Sequence, residues 1–208
     1  TGNWVSDEIS GIGRMVQPNG DTYEVNFQRG NRQGKGVVVY ANGNIYNGDF
    51  DQDQRHGQGE FTSKDGYKYT GSWSRGQIVG EGKAIYPDGT IYSGSFSADL
   101  PDGTGTITYP SGEVYKGQWS AGNIHGRGLA TYPNGVTYEG EFRDTQYHGK
   151  GIMTHTDGYR YDGDWQDGER SGNGTATYPD GATYEGAFQN GKRQGKGQLT
   201  MPDGFTYD

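Results

Sequence analysis

Tyrosine stands at every multiple of 23 along this chain, at Tyr23, Tyr46, Tyr69, Tyr92, Tyr115, Tyr138, Tyr161, Tyr184 and Tyr207, with no insertion or deletion between them. A period this strict describes a linear array of one short unit, each contacting only its neighbours, rather than a globule. Two residues after the tyrosine comes glycine (Gly48, Gly71, Gly94, Gly117, Gly140, Gly163, Gly186), with Val25 the one exception. Two further on an aromatic always follows: Phe27, Phe50, Trp73, Phe96, Trp119, Phe142, Trp165 and Phe188. A Gly-x-Gly comes next, as in Gly34/Gly36 and Gly57/Gly59, and the unit closes on a turn such as Tyr86-Pro87-Asp88-Gly89 or Tyr132-Pro133-Asn134-Gly135.

Tyr-x-Gly-x-Phe/Trp alternates with a period of two, which places both rings and the glycine on one face of a strand. The intervening residues are mostly polar, as with Asn47/Asp49, Glu139/Glu141 and Asp162/Asp164, so the other face meets water. A second strand is expected from the Gly-x-Gly to the turn, as in Gly128-Leu129-Ala130-Thr131-Tyr132. Proline suits the second position of a type I or II turn, and Asp/Asn-Gly tolerates positive φ. Each unit is then one β-hairpin. Successive hairpins pair into an elongated, single-layer antiparallel β-sheet, an all-β fold advancing roughly 9–10 Å per repeat and about 80 Å in all. Residues 1–22 form a partial repeat, 23–206 eight complete ones and 207–208 the start of another. The single array 1–208 ends at both termini without a polar cap, which predicts a fragment of a longer protein or ends that pair with another chain. Val25, and Ser63-Lys64 and His155-Thr156 in place of Tyr-Pro, mark three repeats expected to be locally irregular.

Only 29% of the residues are hydrophobic, which argues against a conventional core. The chain carries 28 aromatics instead, and 23 of them fall at three registers: the leading Tyr, the Phe/Trp, and the Tyr before the turn. Large rings bury roughly 150–250 Å² each, and interleaved glycines leave room for a ring to lie over the backbone. A continuous stripe of rings can therefore serve as the core.

These motifs resemble the MORN (membrane occupation and recognition nexus) repeat family; Tyr138-Glu139-Gly140-Glu141-Phe142 and Gly149-Lys150-Gly151 match its pattern, and the resemblance covers the whole chain. It implies a twisted β-sheet with a groove on one face, partner binding or assembly, homodimerisation in some members, and binding of phosphoinositides.

No catalytic constellation stands out, and a non-enzymatic chain without cofactor or metal is expected. His56, His125 and His148 share one register, placed in the loop before the Gly-x-Gly; histidines in adjacent repeats would lie roughly 9–10 Å apart, too far to share a zinc ion held about 2 Å from each ligand. The Gly-x-Gly pairs lead into strands, so they are no dinucleotide fingerprint. Carboxylates such as Glu139 and Asp162 read as a solvated face. The net charge of −8 opposes nucleic acid and anionic membranes.

A one-layer sheet cannot cover both sides of its rings, and exposed aromatic rows mark interaction surfaces. The expected function is therefore a protein-interaction scaffold, gripping a partner segment or a second copy of itself through groove residues Tyr86, Tyr92, Phe96, Tyr109, Tyr115, Trp119, Tyr132, Tyr138, Phe142, His155, Tyr161 and Trp165. An alternative is an edge for acidic lipid headgroups, formed by loop residues Arg29, Arg32, Lys35, Arg55, Arg127, Lys150, Arg170, Lys192, Arg193 and Lys196; Arg75 lies in the same loops, as do diluting acids such as Asp53 and Asp144. Carbohydrate binding through the ring faces is a third. The compartment stays open, with a soluble, cytoplasmic chain associated with membrane or cytoskeleton as the expectation.

Overall fold

A computed structural model describes residues 1–208. The chain forms two compact units, Thr1–Pro101 and Asp102–Asp208, and every regular element in both is a β-strand. The first unit holds β1 (Asn3–Val5), β2 (Glu8–Val16), β3 (Thr22–Gln28), β4 (Asn31–Val39), β5 (Ile45–Asp51), β6 (Gln54–Thr62), β7 (Lys68–Ser74), β8 (Gln77–Ile85) and β9 (Ile91–Ser97). Each strand pairs antiparallel with the next. The meander of the second unit opens with β10 (Leu100–Thr108). It continues through β11 (Val114–Ser120), β12 (Asn123–Thr131), β13 (Thr137–Arg143), β14 (Gln146–Thr154), β15 (Arg160–Gln166), β16 (Glu169–Thr177), β17 (Thr183–Gln189), β18 (Lys192–Thr200) and β19 (Thr206–Tyr207). These strands too pair in sequence order. The tandem antiparallel hairpins anticipated from the period are what the structure shows.

Each repeat pairs a seven-residue strand carrying Tyr-x-Gly-x-Phe/Trp with a nine-residue strand carrying the Gly-x-Gly, as in β13 and β14. The two glycines of Gly-x-Gly serve different needs. Gly117 faces Gly128 and Trp119 faces Ile124, so Gln118 alone opposes His125, Gly126 and Arg127. This bulge needs a left-handed residue, and Gly126 supplies it with φ +74°. The Gln118 side chain then accepts the freed N–H of Arg127 at 2.7 Å, and Asp164 does the same for Asn173 at 2.9 Å. The second glycine lies beneath a ring. A methyl group on Gly174 would come 2.5 Å from the Tyr161 hydroxyl oxygen and 2.6 Å from its ring carbons, and one on the facing Gly163 would meet the same ring.

The two strands of a repeat are joined by a two-residue turn, not by the longer loop expected from sequence. Both turn residues have positive φ, as in Arg29-Gly30 (50° and 76°), Ala98-Asp99 (47° and 68°) and Asp144-Thr145 (50° and 69°). That is the type I′ geometry whose twist matches a hairpin. The N–H of the second turn residue bonds back to the preceding repeat: Gly76 to the Arg55 carbonyl at 2.9 Å, Thr145 to Ile124 at 2.9 Å, Gly168 to Tyr147 at 3.0 Å. The placement of His56, His125 and His148 in loops is corrected accordingly, because they lie in β6, β12 and β14. The same holds for Arg32, Lys35, Arg55, Arg127, Lys150, Arg170, Lys192, Arg193 and Lys196, all within strands; of the basic loop residues named above, only Arg29 and Arg75 sit in turns.

The turns between repeats follow the Pro-Asp/Asn-Gly chemistry. Gly135 N–H bonds the Tyr132 carbonyl at 2.9 Å, and the Asn134 side chain accepts from Val136 at 3.1 Å. Ser63 and His155 build the same turn, with Gly66 N–H to the Ser63 carbonyl at 3.1 Å and Gly158 to His155 at 3.2 Å. The turns of those two repeats are regular, since the backbone bonds of this turn do not involve the Tyr or Pro side chain, but their bulges differ: Asp49 pairs with His56 and Glu141 with His148, where the other repeats leave the equivalent residue unpaired. Around Val25 the strand register is also kept, with the usual bulge between Val25 and Phe27.

Because the ring over the glycine pair leaves no room for a Cβ, Gly174→Ala is expected to cost about 2–3 kcal/mol by overpacking, measured by urea unfolding. In a Tyr161→Leu background the loss should shrink, because the crowding ring is gone. Equal losses in both backgrounds would show that ring crowding is not the cause.

Candidate functional site

One face of each sheet carries an edge-to-face chain of rings. In the second unit it runs Trp119, Tyr115, Phe142, Tyr138, Trp165, Tyr161, Phe188, Tyr184, with successive ring centres 5.0–5.6 Å apart and planes at 77–90°. The first unit repeats the arrangement through Phe50, Tyr46, Trp73, Tyr69, Phe96 and Tyr92 at 5.0–5.3 Å. Such T-shaped pairs are the preferred aromatic geometry. From Tyr46 to Tyr184 each leading Tyr hydroxyl donates to the carbonyl three residues on, as with Tyr46 to Asp49 at 2.8 Å and Tyr115 to Gln118 at 2.9 Å. The indole N–H of Trp165 donates to the Gly151 carbonyl at 3.0 Å. Tyr23 is the exception: Val25 replaces the glycine beneath it, and the Arg32 guanidinium sits 4.5 Å from its ring centre. Burial pushes the Tyr69, Tyr115 and Tyr161 phenols up to about 12, and it raises Tyr46 and Tyr138 as well.

This geometry sorts the groove candidates into two sets. Tyr92, Phe96, Tyr115, Trp119, Tyr138, Phe142, Tyr161 and Trp165 are buried and form the ring chain. Tyr86, Tyr109, Tyr132 and His155, directly before the inter-repeat turns, are half-buried and flank it. Where the pre-turn tyrosine is replaced by Ser63 or His155, a tyrosine appears four residues later. Tyr67 packs against Phe61 and Tyr86 at 6.4 and 5.6 Å, and Tyr159 against His155 and Tyr178 at 5.2 and 5.8 Å. Sequence reasoning passed over Tyr67 and Tyr159, although both sit one residue before a seven-residue strand and were visible as off-register tyrosines.

A further row covers the chain of rings: the second residue of each nine-residue strand. Arg55 lies there with its guanidinium 4.3 Å from the Trp73 ring centre, and Arg170 lies 5.6 Å from Phe188 and 5.7 Å from Tyr161. Ile78 and Ile124 occupy the same row and are buried. Tyr147 stacks on Tyr138, 3.9 Å between centres at 19°, and its hydroxyl bonds that of Tyr132. Within the second unit an open cavity of about 310 Å³ lies over Ile124, walled by Tyr109, Glu113, Tyr115, Tyr132, Phe142, Thr145 and Tyr147.

A family model for the MORN repeat matches nine successive segments: 1–22, 23–45, 46–66, 69–91, 92–114, 115–137, 138–158, 161–183 and 184–206. The chain belongs to the MORN repeat family. No curated protein matches the array in sequence. Among solved structures, it is similar to the SAS-4 (dCPAP) TCP domain of Drosophila melanogaster, in complex with a proline rich motif of Ana2 (dSTIL). That likeness has 15% identity and a TM-score of 0.47 and covers 83% of this chain and 88% of that one. It is also similar to the TCP10 domain of Danio rerio CPAP in complex with a peptide of STIL, at 15% identity and a TM-score of 0.36, covering 94% and 91%.

On the opposite, polar face of each sheet of the MORN array, acids meet several cations. Lys35 pairs with Asp49 at 3.0 Å, Lys150 with Asp164 at 2.6 Å and Arg127 with Glu141 at 4.0 Å, each across adjacent strands. The arginines over the rings lie on the other face, so the ten cations named as a headgroup edge are not brought together as one. His56 and His125 are exposed, and His148 Nδ1 lies 3.9 Å from Asp167. No three His, Asp or Glu side chains gather into a group that could hold a metal ion. No helix is long and apolar enough to cross a membrane.

Phenols whose values are raised above the ordinary 10 favour the folded state fully below pH 10, where both states are protonated. Between pH 10 and about 12 only the unfolded chain sheds these protons, so the stability of the MORN array should fall steeply across that window. Urea midpoints and phenolate absorbance recorded together check this. Titration of all 17 tyrosines near pH 10 with the sheet intact would mean the rings are not buried as described.

Proposed function

We propose that this array is a non-catalytic interaction module that binds an extended protein segment along its half-buried tyrosines. The observation that carries the reading is the division of labour between rings. The buried chain of leading Tyr and Phe/Trp already holds the sheet together. Tyr67, Tyr86, Tyr109, Tyr132, Tyr159 and Tyr178 stand beside it, each half-exposed. Rigid amphipathic rings in such positions bury much area on contact and lose little side-chain entropy, which is why tyrosine is enriched at interfaces. The phosphoinositide alternative has no comparable feature, because Lys35, Arg127 and Lys150 are each beside a carboxylate. A second copy of the chain is an occupant that the same test distinguishes.

Photo-crosslinking residues placed at Tyr109, at Tyr132 and, on the polar face, at Glu139 and Asp162 test the reading. Cross-links to a defined partner segment, or to a second copy, are expected from the two tyrosine positions and not from the acidic ones; equal yields from both faces would overturn it. Tyr109→Ala should weaken capture while leaving the fold intact. Tyr138→Ala, which removes a fully buried ring, should cost roughly 3–5 kcal/mol of stability.

A further inference from the structure

The cavity over Ile124 has a template elsewhere in the same chain. In four other repeats the residue equivalent to Ile124 is an arginine (Arg32, Arg55, Arg170 and Arg193), and in three of them its guanidinium occupies a repeated setting. Arg32, Arg55 and Arg170 each lie within 4.3–5.9 Å of ring centres of the chain. Each also donates to the carbonyl of the second residue in the next tight turn: Arg32 to Asp53 at 2.8 Å, Arg55 to Gly76 at 2.7 Å, and Arg170 to Gly191. Arg170 donates in addition to the Tyr159 hydroxyl, on the residue preceding β15.

Around Ile124 every part of that setting is present except the guanidinium. Tyr115 and Phe142, 5.0 Å apart, correspond to Tyr161 and Phe188 beneath Arg170. Thr145 takes the place of Gly191 and borders the cavity. Glu113 stands where Tyr159 stands, 11 residues before its row position in both cases (124 − 113 and 170 − 159), so a carboxylate replaces a phenol as the acceptor. Glu113 has no basic partner within ion-pair distance. Ile124 fills only the room that the stem of an arginine would fill, and the cavity of about 310 Å³ lies beyond it. An unpaired carboxylate beside ring faces is complementary to a planar cation, which stacks on aromatics and pairs with carboxylates in a fixed fork geometry.

We infer that this cavity is a receptor for one arginine side chain of a partner segment, its guanidinium over Tyr115 and Phe142 and bonded to Glu113 and the Thr145 carbonyl. This deepens the interaction-module reading and rests on it. It adds an anchor of stated chemistry at one repeat, where the chain does not supply the arginine itself.

The test is a methyl-NMR titration of the whole array with the capped pentapeptide Gly-Gly-Arg-Gly-Gly, beside versions carrying citrulline or lysine in place of arginine. The arginine peptide should shift the Ile124 methyl saturably, and the neutral isostere should bind at least about tenfold more weakly, the loss expected for a charge-assisted pair. Glu113→Gln should weaken the arginine peptide by about the same factor, and added salt should do so too. Ile124→Arg should place a guanidinium of the chain itself in the cavity and abolish peptide binding with every ring still in place. Equal shifts from arginine and citrulline would overturn the receptor but leave a groove that binds peptides. A silent Ile124 methyl, or Glu113→Gln binding as wild type, would also overturn it. The interaction-module reading falls separately, if the tyrosine positions give no more cross-links than the polar face.

Discussion

A tyrosine ring lying flat over two glycines on neighbouring strands is the contact on which the rest of this structure depends. Tyr161 covers Gly163 and Gly174, which face each other across β15 and β16. With no Cβ on either strand the ring reaches the backbone itself, and its hydroxyl bonds the Asp164 carbonyl beside the bulge at 3.0 Å. A polar atom that would be costly to bury without a partner is thereby satisfied. The edge of the ring then meets the next ring. A chain with 29% hydrophobic residues thus gains dense apolar contact from few side chains.

The same contact explains why one layer of sheet suffices. Within each unit leading tyrosines touch the Phe/Trp of their own repeat and that of the next, as Tyr138 touches Phe142 and Trp165 and Tyr46 touches Phe50 and Trp73, so the rings bridge repeats without a second layer. The backbone adds a parallel link where each tight turn bonds the preceding repeat. What remains variable is the row over the rings, where arginine, isoleucine and tyrosine alternate, and the rows beside the turns. Differences in chemistry from repeat to repeat concentrate in those rows.

Much of this was legible. Period-two alternation located the seven-residue strands, the ring chain and the glycines beneath it, because those features depend only on strand geometry. Among the tight turns, Asp167-Gly168 and Asn190-Gly191 carry the type I′ signal, but Ala98-Asp99 and Asp144-Thr145 do not; their left-handed backbone is supported by bonds to a repeat about twenty residues upstream. With the turns misplaced, Arg32, Arg55 and Arg170 became loop cations, when the structure lays them on ring faces. The move of a tyrosine from the pre-turn position to Tyr67 and Tyr159 was also overlooked, because it preserves a contact and not a register.

By itself the sequence determined the repeat, its all-β hairpins and the identity of the ring core, since a strict spacing of rings and residues without side chains allows few other ways to bury apolar surface. Only the tertiary structure decided which aromatics are sealed in the core and which face outward, and where the basic side chains go. Those outcomes depend on the two-residue turns and the bulge, which set the strand register. A shift of one residue in that register exchanges the two faces of a strand.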